Sequence, residues 1–145
     1  ARTGHVVTAT IDHPNSPMNA VDAQLHHDFG ELFRILKMAD GELLDGARAI
    51  VLTGSGRAFS AGGDMAWFPE LRSPDRLTRL RREGKQIIWD QLDVEIPIVC
   101  GLNGPDVGLG ASIALRCDVI VRQRQRRLSI RTSSAVASPV MASHQ

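Results

Sequence analysis

Two glycine-rich segments, 61–64 and 108–110, contain the residues of this sequence with the clearest chemical potential. Each follows a short apolar run typical of a buried strand, at 49–53 and at 96–102. Glycines leave backbone N–H groups uncovered, so that a ligand oxygen can approach within hydrogen-bond distance. Two such N–H groups that converge on one point form an oxyanion hole, which stabilises negative charge on a carbonyl oxygen. The pattern favours enolate or acyl chemistry over phosphoryl or hydride transfer.

Other glycine-based chemistries fit these segments less well. A dinucleotide-binding loop needs a third glycine where Gly54-Ser55-Gly56 is followed by Phe59 and where Gly108-Leu109-Gly110 is followed by Ile113. Neither segment continues into the Gly-Lys-Ser/Thr of a phosphate-binding loop. A purely structural alternative remains open, in which the glycines serve only as turns.

Periodicity predicts the elements that position these segments. A first strand is expected at 5–11, and a helix at 21–39, whose apolar face comprises Leu25, Phe29, Leu32, Phe33 and Leu36. A third buried strand is expected at 117–121, after a short helix at 111–116.

A second long helix is expected at 74–93, with Ser73 as its capping hydroxyl. Its predicted apolar face comprises Leu77, Leu80, Ile88 and Leu92. Five basic residues lie elsewhere on it and form either a solvated face or a landing site for phosphates: Arg76, Arg79, Arg81, Arg82 and Lys85.

Composition limits the class of protein. The 145 residues suffice for one domain, and the 4% aromatic content, without Tyr, argues against a base-stacking nucleic-acid platform. Cys100 and Cys117 are expected to be buried, reduced thiols. His26-His27 lacks further ligands, so no metal site is predicted. No apolar run of about 18 residues and no leader peptide is seen, which predicts a cytoplasmic protein without a membrane span.

The charge is unevenly distributed along the chain. Residues 1–121 hold 12 of the 17 Lys and Arg and all 16 acids, whereas residues 122–145 hold five Arg and no acid. We therefore divide the chain into a core at 1–121 and a basic tail at 122–145, which we expect to be disordered.

Segments 52–65, LTGSGRAFSAGGDM, and 96–121, IPIVCGLNGPDVGLGASIALRCDVIV, resemble the two signatures of the enoyl-CoA hydratase/isomerase (crotonase) family. The resemblance covers about residues 5–121. It implies an α/β fold, a crotonase-like spiral of ββα units, and an acyl-CoA thioester as substrate. Coenzyme A would enter as part of the substrate, with no separate cofactor. The family usually forms homotrimers or hexamers.

The resemblance also implies roles for single residues. The oxyanion donors of the family fall on the backbone amides of Gly63 and Leu109. Asp64 matches the acid that follows the first donor, where we expect it to cap the next short helix. The other residues that match the substrate-binding segments are Arg57, which is equally a candidate surface residue, Ala61, Gly62, Gly108 and Gly110.

Three departures from the family pattern bear on activity. Ser112 occupies the position of the usual catalytic Glu. Asp106 stands in a turn where the family often has a small apolar residue; it is a candidate acid, although we expect an exposed turn residue. After Val121 neither the second acid nor the C-terminal helices that cap the site and build the trimer are recognisable. We therefore expect an incomplete spiral without the trimerisation region, truncated or frameshifted after about residue 121, with reduced or no activity.

Two alternative functions stay open. One is an inactive crotonase-like fragment that acts only as a binding or interaction protein. The other is a serine hydrolase of the Clp type, because Gly108 to Ala114 is similar to its nucleophile turn, with Ser112 as nucleophile. None of the five histidines, His144 included, lies where that family keeps its base.

Overall fold

The computed structural model describes residues 1–38 and 44–122. Nine elements follow in order: β1 (Arg2–Thr3), β2 (Val6–Ile11), α1 (Ala23–Met38), β3 (Ala49–Gly54), a 3₁₀ helix (Phe68–Arg72), α2 (Pro74–Leu92), β4 (Ile98–Leu102), α3 (Leu109–Ala114) and β5 (Val119–Arg122). The predicted disordered tail lies outside the described residues, except for Arg122, which ends β5.

The five strands form one sheet in the order β1-β2-β3-β4-β5, in which β1 is antiparallel and the others are parallel. Ile50 of β3 pairs with Val7 of β2 and with Ile98 of β4, and all three are buried. The predicted first strand is therefore confirmed by β2, and the two predicted buried strands at 49–53 and 96–102 are confirmed by β3 and β4. Because parallel strands end at the same edge, the loops that follow β3 and β4 lie next to each other.

Helix α1 confirms the predicted amphipathic helix. Its buried face includes Phe29, Phe33 and Leu36, which pack into the core against the sheet. Asp22 precedes the helix, and its Oδ1 accepts a hydrogen bond from Leu25 N at 2.9 Å, which caps the first turn.

Helix α2 has the predicted start and ends one residue before the predicted end. Its predicted apolar face is correct only in part, because Ile88 packs against the core but the fully buried residues are others. Ile87 and Gln91 are buried, one helical turn apart, whereas Leu92 is 54% exposed. Gln91 Nε2 donates to Ile113 O at 2.9 Å, so this stripe faces α3, and Leu92 is rotated away from it. Ser73 precedes the helix, but its hydroxyl makes no capping hydrogen bond. The five basic residues are exposed, as predicted.

Strand β5 is exposed along its whole length, contrary to the expected buried strand. Val119, Ile120 and Val121 are between 43% and 58% exposed. Among the described residues β5 pairs only with β4, so it is an edge strand whose two faces are uncovered. An apolar run predicts that a strand forms, but not whether another element packs on it. Cys100 and Cys117 are buried and free, as predicted.

Candidate functional site

The loops after β3 and β4 are joined by backbone hydrogen bonds. Ser60 and Asp106 form a parallel β-bridge. Val107 N donates to Ser60 O at 3.0 Å, while Phe59 N and Ser60 N both donate to Pro105 O, at 3.0 and 3.1 Å. The two glycine-rich segments are therefore held in a fixed relation to each other.

The segment before α1 holds the first loop from its other side. Ala61 N donates to Met18 O at 2.9 Å, Val21 N donates to Gly62 O at 2.7 Å, and Asp64 N donates to Val21 O at 2.8 Å. The last two of these hydrogen bonds involve the backbone of the residues that flank Gly63, namely Gly62 O and Asp64 N. In such a parallel bridge, the N–H of Gly63 itself points away from Val21.

Two asparagines that the sequence interpretation missed connect these loops. Asn19 is buried, with a φ of 51°, and its Nδ2 donates to Ala58 O at 3.0 Å. Asn103 Oδ1 accepts from Gly54 N at 3.0 Å, and its Nδ2 donates to Gly56 O at 3.2 Å. Asparagine tolerates left-handed backbone, and its side-chain amide both donates and accepts hydrogen bonds. These properties are the only sequence signal for a residue that connects loops.

Gly62 and Gly108 bring the two loops into contact. Both have a positive φ, +83° and +62°, which side chains rarely adopt. A Cβ on Gly108 would lie 3.4 Å from Gly62 Cα and 3.9 Å from Gly63 N. These distances place Gly108, and with it the next residue Leu109, beside the loop that contains Gly63.

The backbone amides of Gly63 and Leu109 are unsatisfied. Within residues 1–38 and 44–122, neither donates a hydrogen bond. Leu109 is the first residue of α3, so its N–H precedes the helical bonding that starts with Ser112 N to Gly108 O. Gly63 is exposed and Leu109 is half-buried. The structure thus brings both predicted donors into one neighbourhood with their hydrogens free.

Apolar side chains flank the two glycines of the first loop. A Cβ on Gly63 would lie 2.8 Å from Phe68 Cε1, and a Cβ on Gly62 would lie 3.3 Å from Val107 Cγ1. Phe68 and Val107 are 45% and 54% exposed. The free amide of Gly63 therefore lies beside apolar surface, which the sequence interpretation did not single out.

The remaining predicted residues have mainly structural contacts. Asp64 Oδ1 accepts from Ala66 N at 2.9 Å and so caps the turn that leads into the 3₁₀ helix. Arg57 is exposed and forms no ion pair within the described part of the chain. Ala61 is exposed. Gly110 is buried, and a Cβ there would lie 2.5 Å from Ser60 Cβ, so only glycine lets α3 pack on Ser60.

Ser112 is not arranged as a nucleophile. Its hydroxyl donates to Gly108 O at 3.2 Å, and no histidine of the described residues hydrogen-bonds to it. His144 lies outside the described residues. A serine also cannot exchange protons near neutral pH as the usual Glu does.

Asp106 is not the exposed turn residue that was expected. The residue is half-buried, and its Oδ1 is fully buried without a hydrogen-bond partner in the described structure. This oxygen lies 3.0 Å from where a Cβ of Gly110 would be, next to the first turn of α3. Burial raises the pKa of this carboxyl. Turn propensity depends only on neighbouring residues in the sequence, whereas the burial of Asp106 Oδ1 comes from the packing of α3 against the loop.

A separate cavity of about 410 Å³ lies between α1 and α2. Its lining includes His26, Trp67, Glu83 and Arg79, one of the five basic residues for which a phosphate-binding role stayed open. None of the predicted catalytic or substrate-binding residues on the glycine-rich loops lines it. Burial lowers the pKa of His26, and the nearby charge of Glu83 opposes this. The candidate oxyanion site is instead an open surface feature of two loops.

Neither a group of metal ligands nor a membrane-spanning helix is found among the described residues. No three His, Cys, Asp or Glu side chains there lie close enough together to hold a metal ion. No helix within 1–38 and 44–122 has the length and apolar character needed to cross a membrane.

Solved structures share this fold. An enoyl-CoA hydratase/isomerase from Mycobacterium paratuberculosis superposes with a TM-score of 0.72 at 36% identity, over 84% of this chain and 47% of that chain. This confirms the crotonase-type α/β fold, of which this chain covers less than half.

Sequence comparison leads to the same family. The profile of the enoyl-CoA hydratase/isomerase family matches residues 2–134. A Rhodobacter capsulatus protein named "Probable enoyl-CoA hydratase" is 38% identical over 112 residues, which are 77% of this chain and 40% of that protein. A carnitinyl-CoA dehydratase from Proteus mirabilis is 31% identical over 81% of this chain and 42% of its own length. The chain belongs to the enoyl-CoA hydratase/isomerase family, and it spans about two fifths of the length of these relatives.

Proposed function

We propose that this chain binds acyl-CoA thioesters and polarises the thioester carbonyl with the backbone N–H groups of Gly63 and Leu109. The observation that supports the proposal is the pair of unsatisfied amides on two loops that are hydrogen-bonded to each other. Both relatives described above have names that refer to CoA thioesters or their turnover. The apolar surface of Phe68 and Val107 beside the amides suits an acyl group.

Such a pair of donors favours enolate chemistry. When a proton leaves the carbon next to the thioester carbonyl, negative charge develops on the carbonyl oxygen, and preorganised N–H groups stabilise it. One donor of this kind typically lowers the barrier by about 2.7–4 kcal/mol. Coenzyme A is then part of the substrate, and no separate cofactor is needed. We also propose a cytoplasmic location. Homotrimers or hexamers are usual in the family, but the C-terminal helices that build the trimer are not recognisable after Val121.

Binding without turnover is the second candidate function. Ser112 stands where an acid is expected, and its hydroxyl is engaged by Gly108 O. A chain with donors but without an acid or base at this position polarises a thioester without moving the proton.

Calorimetric titration tests the proposal. A saturated acyl-CoA is titrated into the protein, with free coenzyme A and the free carboxylic acid as controls. We expect saturable binding of the thioester that is tighter than binding of either control. Absence of thioester binding at millimolar ligand would contradict the proposal. A hydration assay with an enoyl-CoA then separates the two candidates, because turnover excludes binding alone.

A further inference from the structure

Asp106 is a half-buried acid whose buried Oδ1 has no compensating partner in the described structure. Its Oδ1 has no hydrogen-bond partner, and no described Lys, Arg or His pairs with it. Ser60 lies next to it on the first loop, but the Ser60 hydroxyl donates to Asn19 O at 2.9 Å instead. A carboxylate at this position loses water at its buried oxygen and gains no hydrogen bond or ion pair in exchange.

Among the described residues, the titratable groups whose pKa values the charge of Asp106 raises are two thiols. They belong to Cys100 on β4 and to Cys117, which follows α3. Hydrogen bonding to Cys100 and burial raise the pKa of Cys117, and the charge of Asp106 raises it further. A thiol is either neutral or negative, so neither cysteine offers a positive charge that would stabilise an ionised Asp106.

The position of Asp106 connects it to the candidate oxyanion site. It lies three residues before Leu109, and its buried oxygen is beside Gly110, the residue that follows Leu109. An ionised Asp106 would therefore place a negative charge close to Leu109. The N–H of Leu109 is one of the two groups that would bind a second negative charge. Two like charges repel more strongly inside a protein than in water, because the effective dielectric constant is lower.

We propose that Asp106 controls the affinity of the Gly63 and Leu109 amides for an anionic oxygen through its own charge. The neutral acid permits the anion to bind, and the carboxylate opposes it. This inference rests on the proposed function and goes beyond it, because it assigns a control of the site to a residue that does not touch the ligand. An acid that destabilises its own loop is the kind of local conflict expected at functional sites.

The direction of the pH dependence follows from the environment. Burial raises the pKa of Asp106 above its ordinary value of 3.8. Below the raised pKa the acid is neutral, and both folding and anion binding are unopposed. As the pH rises through it, the carboxylate appears and both are weakened.

Asp106→Asn tests the inference, because the amide has nearly the same shape and cannot ionise. The probes are a β-ketoacyl-CoA, which loses a proton to solvent and becomes an enolate, and a saturated acyl-CoA, which stays uncharged at the carbonyl. Affinities of the wild type and the variant are compared between pH 5 and 9. The variant should bind the β-ketoacyl-CoA about tenfold more tightly at high pH and equally at low pH, with a constant ratio for the saturated ester.

A ligand-free measurement keeps the two proposals separable. In thermal unfolding Asp106→Asn should be more stable than the wild type at high pH, and this difference should vanish at acid pH. Equal stability at every pH, or an affinity ratio that is the same for both esters throughout, would overturn the inference. If no CoA ester binds to either protein while the unfolding difference is present, the proposed function fails and the ligand part of the inference fails with it.

Discussion

Gly108 lies against Gly62 so closely that a Cβ on Gly108 would be 3.4 Å from Gly62 Cα. This contact joins the two loops that follow β3 and β4, and the residues next in sequence are those with free amides. A shift of the backbone at Gly108 should therefore move Leu109 N relative to Gly63 N.

Gly108→Ala should therefore impair both stability and ligand binding. Its φ of +62° is unfavourable for alanine, at a cost of about 1–2 kcal/mol, and relief of this strain would shift the backbone at position 108 together with Leu109 N. We expect a lower midpoint in urea unfolding and loss of acyl-CoA binding in calorimetry. Gly4→Ala is the matched control, because Gly4 has a φ of +57° with no atom within 4 Å. It should lose similar stability and keep binding, so equal binding by both variants would argue against the loop contact.

Asp22→Ala should destabilise the protein by about 1 kcal/mol, because it removes the cap of α1. Asp22 Oδ2 also lies 3.0 Å from His13 Nε2. The preceding residue, Val21, forms a parallel β-bridge with Gly63. Asp22→Asn keeps a capping oxygen and should restore most of the stability. Urea unfolding at pH 7 compares the three proteins. An asparagine variant as unstable as the alanine variant would show that the cap is not the origin of the effect.

His26 should make stability fall at acid pH. Burial lowers its pKa below 6.5, so the folded state binds fewer protons than the unfolded state. The contribution to stability is complete above pH 6.5 and is lost as the pH falls through the lowered pKa. His26→Phe should flatten the change in urea midpoint between pH 7.5 and 5.5. His27→Gln removes only the smaller contribution that the charge of His27 makes to lowering the pKa of His26, so it should change this slope much less. An unchanged slope in His26→Phe would exclude this role.

Much of the scaffold could be predicted because its signals are local. The β-branched runs of β3 and β4 and the three-to-four spacing of Leu25, Phe29 and Phe33 predicted buried elements that the structure contains. The proximity of the two glycine-rich loops also followed from sequence, since neighbouring parallel strands end at one edge of the sheet.

The features that escaped prediction depend on tertiary contacts. The buried oxygen of Asp106 lies under α3, which turn propensities cannot register. The bonds of Asn19 and Asn103 to the first loop span more than 30 residues of sequence. The exposure of β5 depends on which other elements pack against the strand, whereas its apolar residues predict only that a strand forms.

The most direct test of the central claim removes one N–H group and little else. Leu109 is the first residue of α3, where proline is tolerated because that N–H has no helical partner. Leu109→Pro deletes the proposed donor, while Leu109→Ala loses the same side-chain packing and keeps the donor. Calorimetric titration with a β-ketoacyl-CoA should show binding to Leu109→Ala and affinity lower by about tenfold or more in Leu109→Pro. Equal affinity of the two variants would contradict a role of the Leu109 amide in holding the thioester oxygen.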